Sequence, residues 1–439
     1  MCAGLTIKNF QQFLSVWSRL RTPNVRYEMS YVGSFYFVKK MDRQTHVCNK
    51  EQIMLENRKV LMIATQEIVN DLSDGGKRVS NRNWRLLRDI FGTQNITLVM
   101  YTNNSVEDSV GIIRLPAYKD MLDRIANILS GRLFADRQSE DRIVDMVEKN
   151  RYDIAFLDRT LYGTLIDRIK KADDKCRIWA FSHNLERNYF KNKLRKYPVL
   201  SKIICSRVRR SEEKTLQVSD CLFVLTRRDA ELNKKIYGIE ACACIPTSFE
   251  DQYCETVEVS DDATKQLLFI GTMFGPNYEG IKWFIDNVME KLPDFTLTIV
   301  GKNFETKRKK LQRSNVIVVG TVDNLEDYYY TNNIMVMPIF YGDGQKVKTA
   351  EAMMYGKTII ATDEALEGYD VEHVEGIFRC NTADEYIQTI LRVSSVHRKR
   401  YRDSVRNQFM DKYSYTAVLE KARKAFGELS NDFSNCTSL

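Results

Sequence analysis

Short β-branched and aliphatic runs alternate with segments of helical period along most of this 439-residue chain. Strands that alternate with helices of this length favour a parallel sheet with helices on both faces. The runs fall into two blocks, so the sequence predicts an α/β fold with two Rossmann-like domains. The predicted strands are 60–64, 96–101, 154–157, 177–181 and 221–225 in the first block, and 267–271, 295–300, 316–319, 334–338 and 358–361 in the second.

An acidic, hydrophilic stretch around residues 246–265 separates the two blocks. Before the first block, a helix is expected over residues 10–21 and a strand over 31–38. The predicted organisation is an N-terminal extension of unknown role at 1–56, a first Rossmann-like domain at 57–248, a second at 249–396, C-terminal helices at 397–428 and a polar tail at 429–439.

Charge is divided unevenly between the two blocks. Residues 1–245 carry 43 Lys and Arg against 29 Asp and Glu, whereas residues 246–439 carry 23 against 29. The asymmetry indicates that only the first unit meets an anionic partner. The densest basic stretch, residues 187–210, contains no acid and is interleaved with aromatic and aliphatic residues. Its candidate patch residues are Arg187, Lys191, Lys193, Arg195, Lys196 and Lys202.

This basic stretch has two main interpretations, a solvated amphipathic face or attachment to an anionic membrane leaflet that holds a lipid-linked acceptor. Nucleic acid is not the expected partner. No apolar run approaches the ~20 residues that span a bilayer, and the first residues do not form a signal peptide. We therefore expect a cytoplasmic protein, peripheral on the inner face of the membrane, whose ten cysteines are mostly buried, reduced thiols.

The segment at 342–353 is the most specific candidate site. It follows a predicted strand and opens a helix, where Gly342 and Gly344 let the backbone approach a ligand and the helix start offers free N–H groups. Lys346 and Lys348 place two cations at the helix end that favours anions, which is explicable if an anion binds there. Glu351 follows within one turn, where a carboxylate can accept both hydroxyls of a ribose. The alternative is a solvated helix start with a Lys348–Glu351 pair.

Two further clusters follow predicted strands of the first block. Gly75 and Gly76 lie between the first strand and the next helix, and His183 follows the strand at 177–181. Open α/β sheets bind ligands outside the carboxyl ends of their strands, so both clusters are candidates. Taken alone, the glycines indicate only a βα turn, and a lone histidine is more often structural than catalytic.

Residues 267–370 resemble the donor-binding domain of family 4 glycosyltransferases of the GT-B fold. The first block is similar in outline, and the likeness covers about residues 58–425. The motifs that carry the resemblance are residues 268–271 (LFIG), 276–284 (PNYEGIKWF), 299–301 (IVG), 342–353, 356–362 (GKTIIAT) and 367–368 (EG) in the second block, with 75–76 (GG), 152–153 (YD), 183–186 (HNLE) and 225–230 (LTRRDA) in the first.

The resemblance implies a GT-B architecture in which the two parallel sheets face a central cleft and the C-terminal helices pack back on the first domain. It also implies that a nucleotide-sugar donor binds in this cleft. Lys346 and Lys348 would neutralise its diphosphate, Glu351 would hold the ribose, and His183 would face the sugar. The remaining donor-binding residues would be Gly342, Asp343, Gly344, Gly75, Gly76, Gly271, Thr272, Gly301 and Val322, of which Gly301 and the 321–322 turn would border the base.

Asp343 departs from the family pattern, because many members have glutamate eight residues before the ribose-binding glutamate. Its role stays open. The chain has no D-x-D pair, so a reaction without metal or other cofactor is expected, with the lysines in place of a divalent ion.

The resemblance implies sugar transfer with retention to a glycan or lipid-linked acceptor, in cell-surface polysaccharide biosynthesis. The alternatives are a sugar-nucleotide epimerase or hydrolase on the same fold, and an inactive nucleotide-binding module.

Overall fold

Two sheets of parallel strands carry most of the hydrophobic core. The computed structural model describes residues 55–71, 75–102, 108–118, 120–194, 197–254, 265–342, 344–396 and 402–435, together with the backbone of three short strands nearer the N-terminus, β1 (Leu5–Thr6), β2 (Arg26–Val32) and β3 (Phe35–Met41). This two-sheet α/β architecture confirms the fold class predicted from the alternating pattern.

The first sheet has the strand order β10-β9-β8-β7-β4-β5-β6, and every pair in it is parallel. Its central strand β4 is buried at all five positions, which explains its continuous apolar sequence. The strands are β4 (Val60–Ala64), β5 (Ile96–Tyr101), β6 (Ile112–Leu115), β7 (Ile154–Asp158), β8 (Arg177–Ser182), β9 (Cys221–Val224) and β10 (Ala243–Cys244).

The second sheet has the order β13-β12-β11-β14-β15-β16 and is also parallel throughout. The order reverses direction between β11 and β14, and such a switch point opens a crevice at the carboxyl edge of the sheet. The strands are β11 (Gln266–Ile270), β12 (Thr296–Val300), β13 (Val316–Gly320), β14 (Ile334–Met337), β15 (Thr358–Ala361) and β16 (Ile377–Arg379).

Helices lie between most successive strands of the two sheets. Around the first sheet they are α1 (Gly75–Phe91), α2 (Met121–Leu129), α3 (Arg137–Asn150), α4 (Ile166–Ala172), α5 (Glu186–Lys193), α6 (Pro198–Val218) and α7 (Arg227–Tyr237). The later helices are α8 (Gly275–Asn287), α9 (Arg308–Leu311), α10 (Glu326–Thr331), α11 (Val347–Met354), α12 (Asp363–Leu366), α13 (Ala383–Val396), α14 (Asp403–Lys412) and α15 (Tyr415–Asn435). None of the helices in the described ranges is long and apolar enough to cross a membrane.

The last two helices belong to different cores. Phe409 of α14 is buried in the core of the second sheet, whereas Phe426 of α15 packs on the first, with its ring centroid 5.1 Å from that of Trp179 and 5.0 Å from that of Phe223. The return to the first domain predicted for residues 397–428 is therefore made by α15. This helix continues to Asn435, so the predicted tail at 429–439 begins inside it.

Two expectations need correction. The single strand predicted over residues 31–38 is wrong, because β2 and β3 pair antiparallel with Val32 opposite Phe35. The helix predicted over 10–21 lies outside the described residues.

Cys221 and Cys242 form a disulfide, which contradicts the expectation of reduced thiols at that pair. The described free cysteines are Cys176, Cys205, Cys244, Cys254 and Cys380.

Candidate functional site

The segment between β14 and α11 forms the loop and helix start that the sequence predicts. Gly342 and Gly344 both have positive φ, at 154° and 69°, which explains glycine at these two positions. Lys346 is the residue that precedes the first turn of α11. Asp343 lies outside the described residues. The loop therefore leads directly into a helix N-terminus whose N–H groups face the carboxyl edge of the second sheet.

Lys348 occupies the centre of this edge. Its half-buried ammonium donates a hydrogen bond to Asn277 Oδ1 and lies 5.0 Å from the centroid of the Phe269 ring. Desolvation lowers the pKa of Lys348 to about 7, although Glu351 acts to raise it. An anionic ligand would strongly stabilise the charged form of Lys348, because it would compensate for the hydration that burial removes.

Asn277 is a site residue that the sequence analysis missed. It is buried in the first turn of α8, and its Nδ2 donates to the carbonyl of Thr272 at 2.7 Å. Asn277 thus joins Lys348 to the loop after β11. At Gly271, a Cβ atom would lie 2.8 Å from Lys348 Nζ and 2.9 Å from Asn277 Nδ2, so a larger residue would displace these two side chains. The sequence signal for Asn277 was its place in the 276–284 motif, at the PN pair that opens α8.

Glu351 lies one turn further along α11 and faces the first domain. Its Oε2 accepts a hydrogen bond from Tyr329 Oη at 3.4 Å, and its Oε1 is 3.8 Å from Arg78 Nη1 across the cleft. Burial raises the pKa of Glu351, and Arg78 and Lys348 oppose that shift. The carboxylate therefore stands at the junction of the two domains, beside two cations.

Lys346 is at the predicted place but is already paired. Its Nζ donates to Glu364 Oε1 at 2.6 Å and to the carbonyl of Gly344 at 2.8 Å. Glu364 also accepts from Arg228 of the first domain at 3.0 Å, and Arg228 lies 3.4 Å from Glu367. Lys346 thus belongs to an ion-pair network that links the two domains, which nothing in the sequence indicated.

The residues expected at the base side come together at the ends of β11, β12 and β13. A Cβ atom at Gly301 would lie 2.0 Å from the carbonyl oxygen of Gly271, so these two backbones are in direct contact. The N–H of Gly301 donates to Gly320 at 2.7 Å, and the next residue, Thr321, precedes Val322 in the following turn. The sheet therefore brings Gly271, Thr272, Gly301 and Val322 to one edge.

The first domain faces this edge with the start of α1 and the loop after β8. Gly75 and Gly76 open α1, and an ideal Cβ at Gly75 has no atom of the protein within 4 Å. Arg78 on the same turn reaches Glu351. At Gly344 the nearest atom to an ideal Cβ is the carbonyl oxygen of His183, at 3.8 Å. The two predicted half-sites thus meet across the cleft.

His183 itself is buried, with 4% of its surface exposed. Its Nε2 lies 3.0 Å from Oδ1 of Asp158, a residue that ends β7 and is fully buried. The sequence analysis missed Asp158, although its position at a strand end was a usable signal. Within the described residues, no group of three or more His, Cys, Asp and Glu side chains is placed to hold a metal ion.

The basic stretch forms the outer surface of α5 and α6. Lys191 and Lys202 are exposed, and Arg187 is half-buried. Arg195 and Lys196 lie outside the described residues, as does the side chain of Lys193. Four large apolar residues of the same region are exposed, namely Tyr197 (61%), Val199 (73%), Leu200 (48%) and Ile203 (47%). The structure therefore exposes both cations and apolar side chains within this stretch of the chain.

Solved structures with this architecture cover most of the chain. A sucrose-phosphate synthase from Thermosynechococcus elongatus is 16% identical with a TM-score of 0.64, over 85% of this chain and 99% of that one. Anabaena HepE in complex with UDP and glucose is 11% identical with a TM-score of 0.58, over 84% and 99%. The protein has the GT-B fold.

Sequence comparisons agree with the fold. Residues 264–395 match the family model "Glycosyl transferases group 1", which covers the second GT-B domain. A Klebsiella pneumoniae protein described as an uncharacterized 44.6 kDa protein in the cps region is 25% identical over 178 residues, 37% of this chain and 45% of that protein. The alignment thus spans less than half of that relative. Together these comparisons support a glycosyltransferase.

Proposed function

We propose that this protein transfers a sugar, with retention, from a nucleotide-sugar to a glycan or lipid-linked acceptor in polysaccharide biosynthesis. The observation that carries the proposal is the cation site at the start of α11. There Lys348, held by Asn277, lies between a glycine loop and Glu351, whose carboxylate approaches Arg78 of the other domain. The family match over residues 264–395 and the description of the Klebsiella relative support the reaction class and the pathway.

The chemistry follows from the charge that develops during transfer. Breaking the bond between sugar and diphosphate leaves negative charge on the departing nucleotide, and preorganised cations and N–H groups stabilise it. Lys348, Arg78 and the N-terminus of α11 converge where that diphosphate would lie. In this proposal they perform the neutralisation that a divalent ion performs elsewhere. Retention is proposed from the family 4 resemblance, with the acceptor hydroxyl attacking on the side of the leaving group.

In this proposal, Lys346 exchanges its present partner, Glu364, for the diphosphate of the donor. Its ammonium is bound to Glu364, so a diphosphate would have to compete with that carboxylate. A phosphate that replaces Glu364 would free the carboxylate for Arg228, which it already contacts. Donor binding and the contact between the domains would then be coupled.

Thermal-shift measurements with UDP and UDP-glucose as first probes, followed by other nucleoside diphosphates, test the donor. A ligand that binds only the native state raises Tm in a concentration-dependent way. Release of nucleotide is then measured with and without an oligosaccharide acceptor. Dependence on the acceptor supports a transferase, whereas equal release without it indicates a hydrolase or epimerase. No shift with any nucleotide contradicts the proposal.

We also propose that the surface of α5 and α6 attaches the enzyme to the cytoplasmic face of an anionic membrane. The exposed Tyr197, Val199 and Leu200 beside Lys191 and Lys202 support this, since a basic face with apolar side chains suits an interface. The protein should sediment with phosphatidylglycerol vesicles, remain free of phosphatidylcholine vesicles and dissociate in high salt. Val199→Ser should weaken binding, and Val110→Ser, an exposed site off this surface, is the matched control.

A further inference from the structure

Exposed aromatic side chains are concentrated beside the glycine loop of the second domain. Within the part of the chain that the structure describes, four Phe, Tyr or Trp residues are exposed, and one of them, Tyr197, belongs to the basic surface. The other three are Phe274 (55%), Phe340 (42%) and Tyr341 (44%). Because exposed aromatic rings forgo the free energy of burial, three of them in two short loops indicate a surface that binds a ligand.

The two loops are neighbours because the strands that they follow are neighbours. β11 and β14 pair in parallel, so their carboxyl ends lie at the same edge of the sheet. Phe274 follows β11 and directly precedes α8, whereas Phe340 and Tyr341 follow β14. A Cβ atom at Gly275 would lie 3.2 Å from Tyr341 Oη, so the two loops are in contact.

Four aromatic residues make up this aromatic patch, namely Phe274, Trp283, Phe340 and Tyr341. The half-buried Trp283 of α8 meets Phe340 edge to face, with ring centroids 4.6 Å apart and planes at 79°. A Cβ atom at Gly280 would lie 1.8 Å from the carbonyl oxygen of Pro338, so α8 lies directly against the segment that leads into Phe340. The Phe340 ring is therefore supported from behind, which reduces the entropy that a ligand would lose in ordering it.

The polar atoms at the edge of the patch indicate the chemistry of its ligand. The Cβ position at Gly275, next to Tyr341 Oη, is also 4.0 Å from Glu279 Oε1, so a hydroxyl and a carboxylate stand beside the rings. A pyranose has a C–H face that packs on an aromatic ring and hydroxyl groups that can donate to both of these oxygens. A phosphate or an anionic lipid headgroup would instead meet the negative charge of Glu279.

The patch continues into the candidate donor site. Tyr341 is followed directly by Gly342 of the glycine loop. Lys348 and Glu351, which bind the nucleotide in the proposed function, are half-buried, whereas the patch is exposed. We propose that the aromatic patch binds a sugar ring of the oligosaccharide acceptor by stacking. This inference rests on the proposed function and deepens it, since the acceptor has to approach a donor bound beside the same loop.

Binding of a neutral oligosaccharide to the free protein tests the patch without any transfer reaction. The chain has four tryptophans, and Trp283→Phe identifies the ¹⁹F resonance of this one in protein labelled with 5-fluorotryptophan. Titration with maltopentaose or with cellopentaose at millimolar concentration should move the Trp283 resonance and leave the other three in place. Stacking uses the C–H faces that both probes possess, so a Trp283 resonance that moves with neither probe overturns the proposal.

Two variants of Phe274 separate stacking from general apolar contact. In Phe274→Leu the side chain stays apolar but loses its ring face, so the Kd for the oligosaccharide should rise roughly 3- to 10-fold, whereas Phe274→Tyr should preserve it. Leu391→Ala is the matched control, because Leu391 is also exposed on the second domain but belongs to α13. Wild-type affinity in Phe274→Leu would show that no sugar stacks on this ring and overturns the proposal.

The transfer assay separates the acceptor from other ligands. Phe274→Leu should raise KM for the oligosaccharide acceptor and leave the Kd for UDP-glucose unchanged. A raised Kd for UDP-glucose would place the patch in the donor site and overturn the proposal, as would loss of vesicle binding or of a dimer in this variant. If UDP-glucose fails to raise Tm while the oligosaccharides still move the Trp283 resonance, the donor assignment fails and the sugar site stands.

Discussion

The two halves of the candidate site are built in different ways. On the second domain, Lys348 and Glu351 belong to a single loop and helix, within ten residues of Gly342. On the first domain, Asn83 comes from α1, Asp158 from the end of β7 and His183 from the loop after β8, and Asn83 and Asp158 are 75 positions apart. The two charged groups of the second-domain half are therefore local in sequence, although Asn277, which contacts Lys348, is 71 positions away. The first-domain half exists only after the sheet has formed.

The two halves also differ in the ligand chemistry that they offer. The second-domain half presents a desolvated cation and a helix N-terminus, which suit a diphosphate. The first-domain half places His183 Nε2 against the buried carboxylate of Asp158 and the His183 carbonyl beside the loop at Gly344. We infer that the second domain supplies the main contacts to the nucleotide, with Arg78 added from the first domain, and that the first domain faces the sugar. The predictions that follow test this division.

The largest effect is expected from Lys348→Ala. Without this ammonium, the charge on the leaving diphosphate loses its central partner, and kcat/KM should fall by roughly 10²- to 10³-fold, the scale for one transition-state donor. Steady-state kinetics of nucleotide release measure the loss. Lys282→Ala is the control, since Lys282 lies on α8 and pairs there with Asp286 at the surface. Normal transfer by Lys348→Ala would remove the second-domain half from the mechanism.

The fold was more predictable from the sequence than the site, and particular elements show why. The predicted strand at 96–101 matches β5, because a continuous apolar run is what a buried parallel strand requires. Edge strands such as β16, with three residues and little burial, have no such signal. The strand orders were not predicted at all, since they depend on contacts between distant segments.

The same reasoning applies to side chains in the site. Lys348 and Glu351 could be predicted because their spacing follows from one helix. Asn277 and Glu364 could not be predicted in this way, because their roles depend on contacts with residues distant in sequence. Asn277 contacts Lys348, and Glu364 contacts Lys346. Asp158 lies between these cases. Its place at a strand end was visible, but its contact with His183 depends on the pairing of β7 with β8.

A smaller effect is expected from pH. The pKa of Lys348 is lowered to about 7 in the free protein, so the ammonium is largely present below pH 7 and is lost as the pH rises above it. If the diphosphate needs the charged form, the Kd for UDP-glucose should increase by up to about tenfold per pH unit above 7, until the pKa of the complex is reached. UDP-glucose is the suitable probe, because its diphosphate diester does not titrate in this range.

Isothermal titration calorimetry across this pH range measures the slope. In Lys348→Arg the guanidinium remains charged, so the dependence on pH should disappear even if affinity changes. A slope that persists in the arginine variant would assign the titration to another group. In that case the lowered pKa of Lys348 would have no part in donor binding.

The smallest effect is expected at Gly75, and it tests whether the first domain also reaches the diphosphate. An ideal Cβ at Gly75 has no protein atom within 4 Å, and φ at this residue is not in the left-handed region, so Gly75→Ala should leave Tm unchanged or slightly raised. If α1 begins against the phosphates, the added methyl group should weaken UDP binding by a few-fold to about tenfold, on the scale of one misplaced contact. Thermal shift and calorimetry on the same samples separate folding from binding. Unchanged UDP affinity together with unchanged Tm would show that the phosphates do not contact the start of α1, which would leave Arg78 as the contact from the first domain.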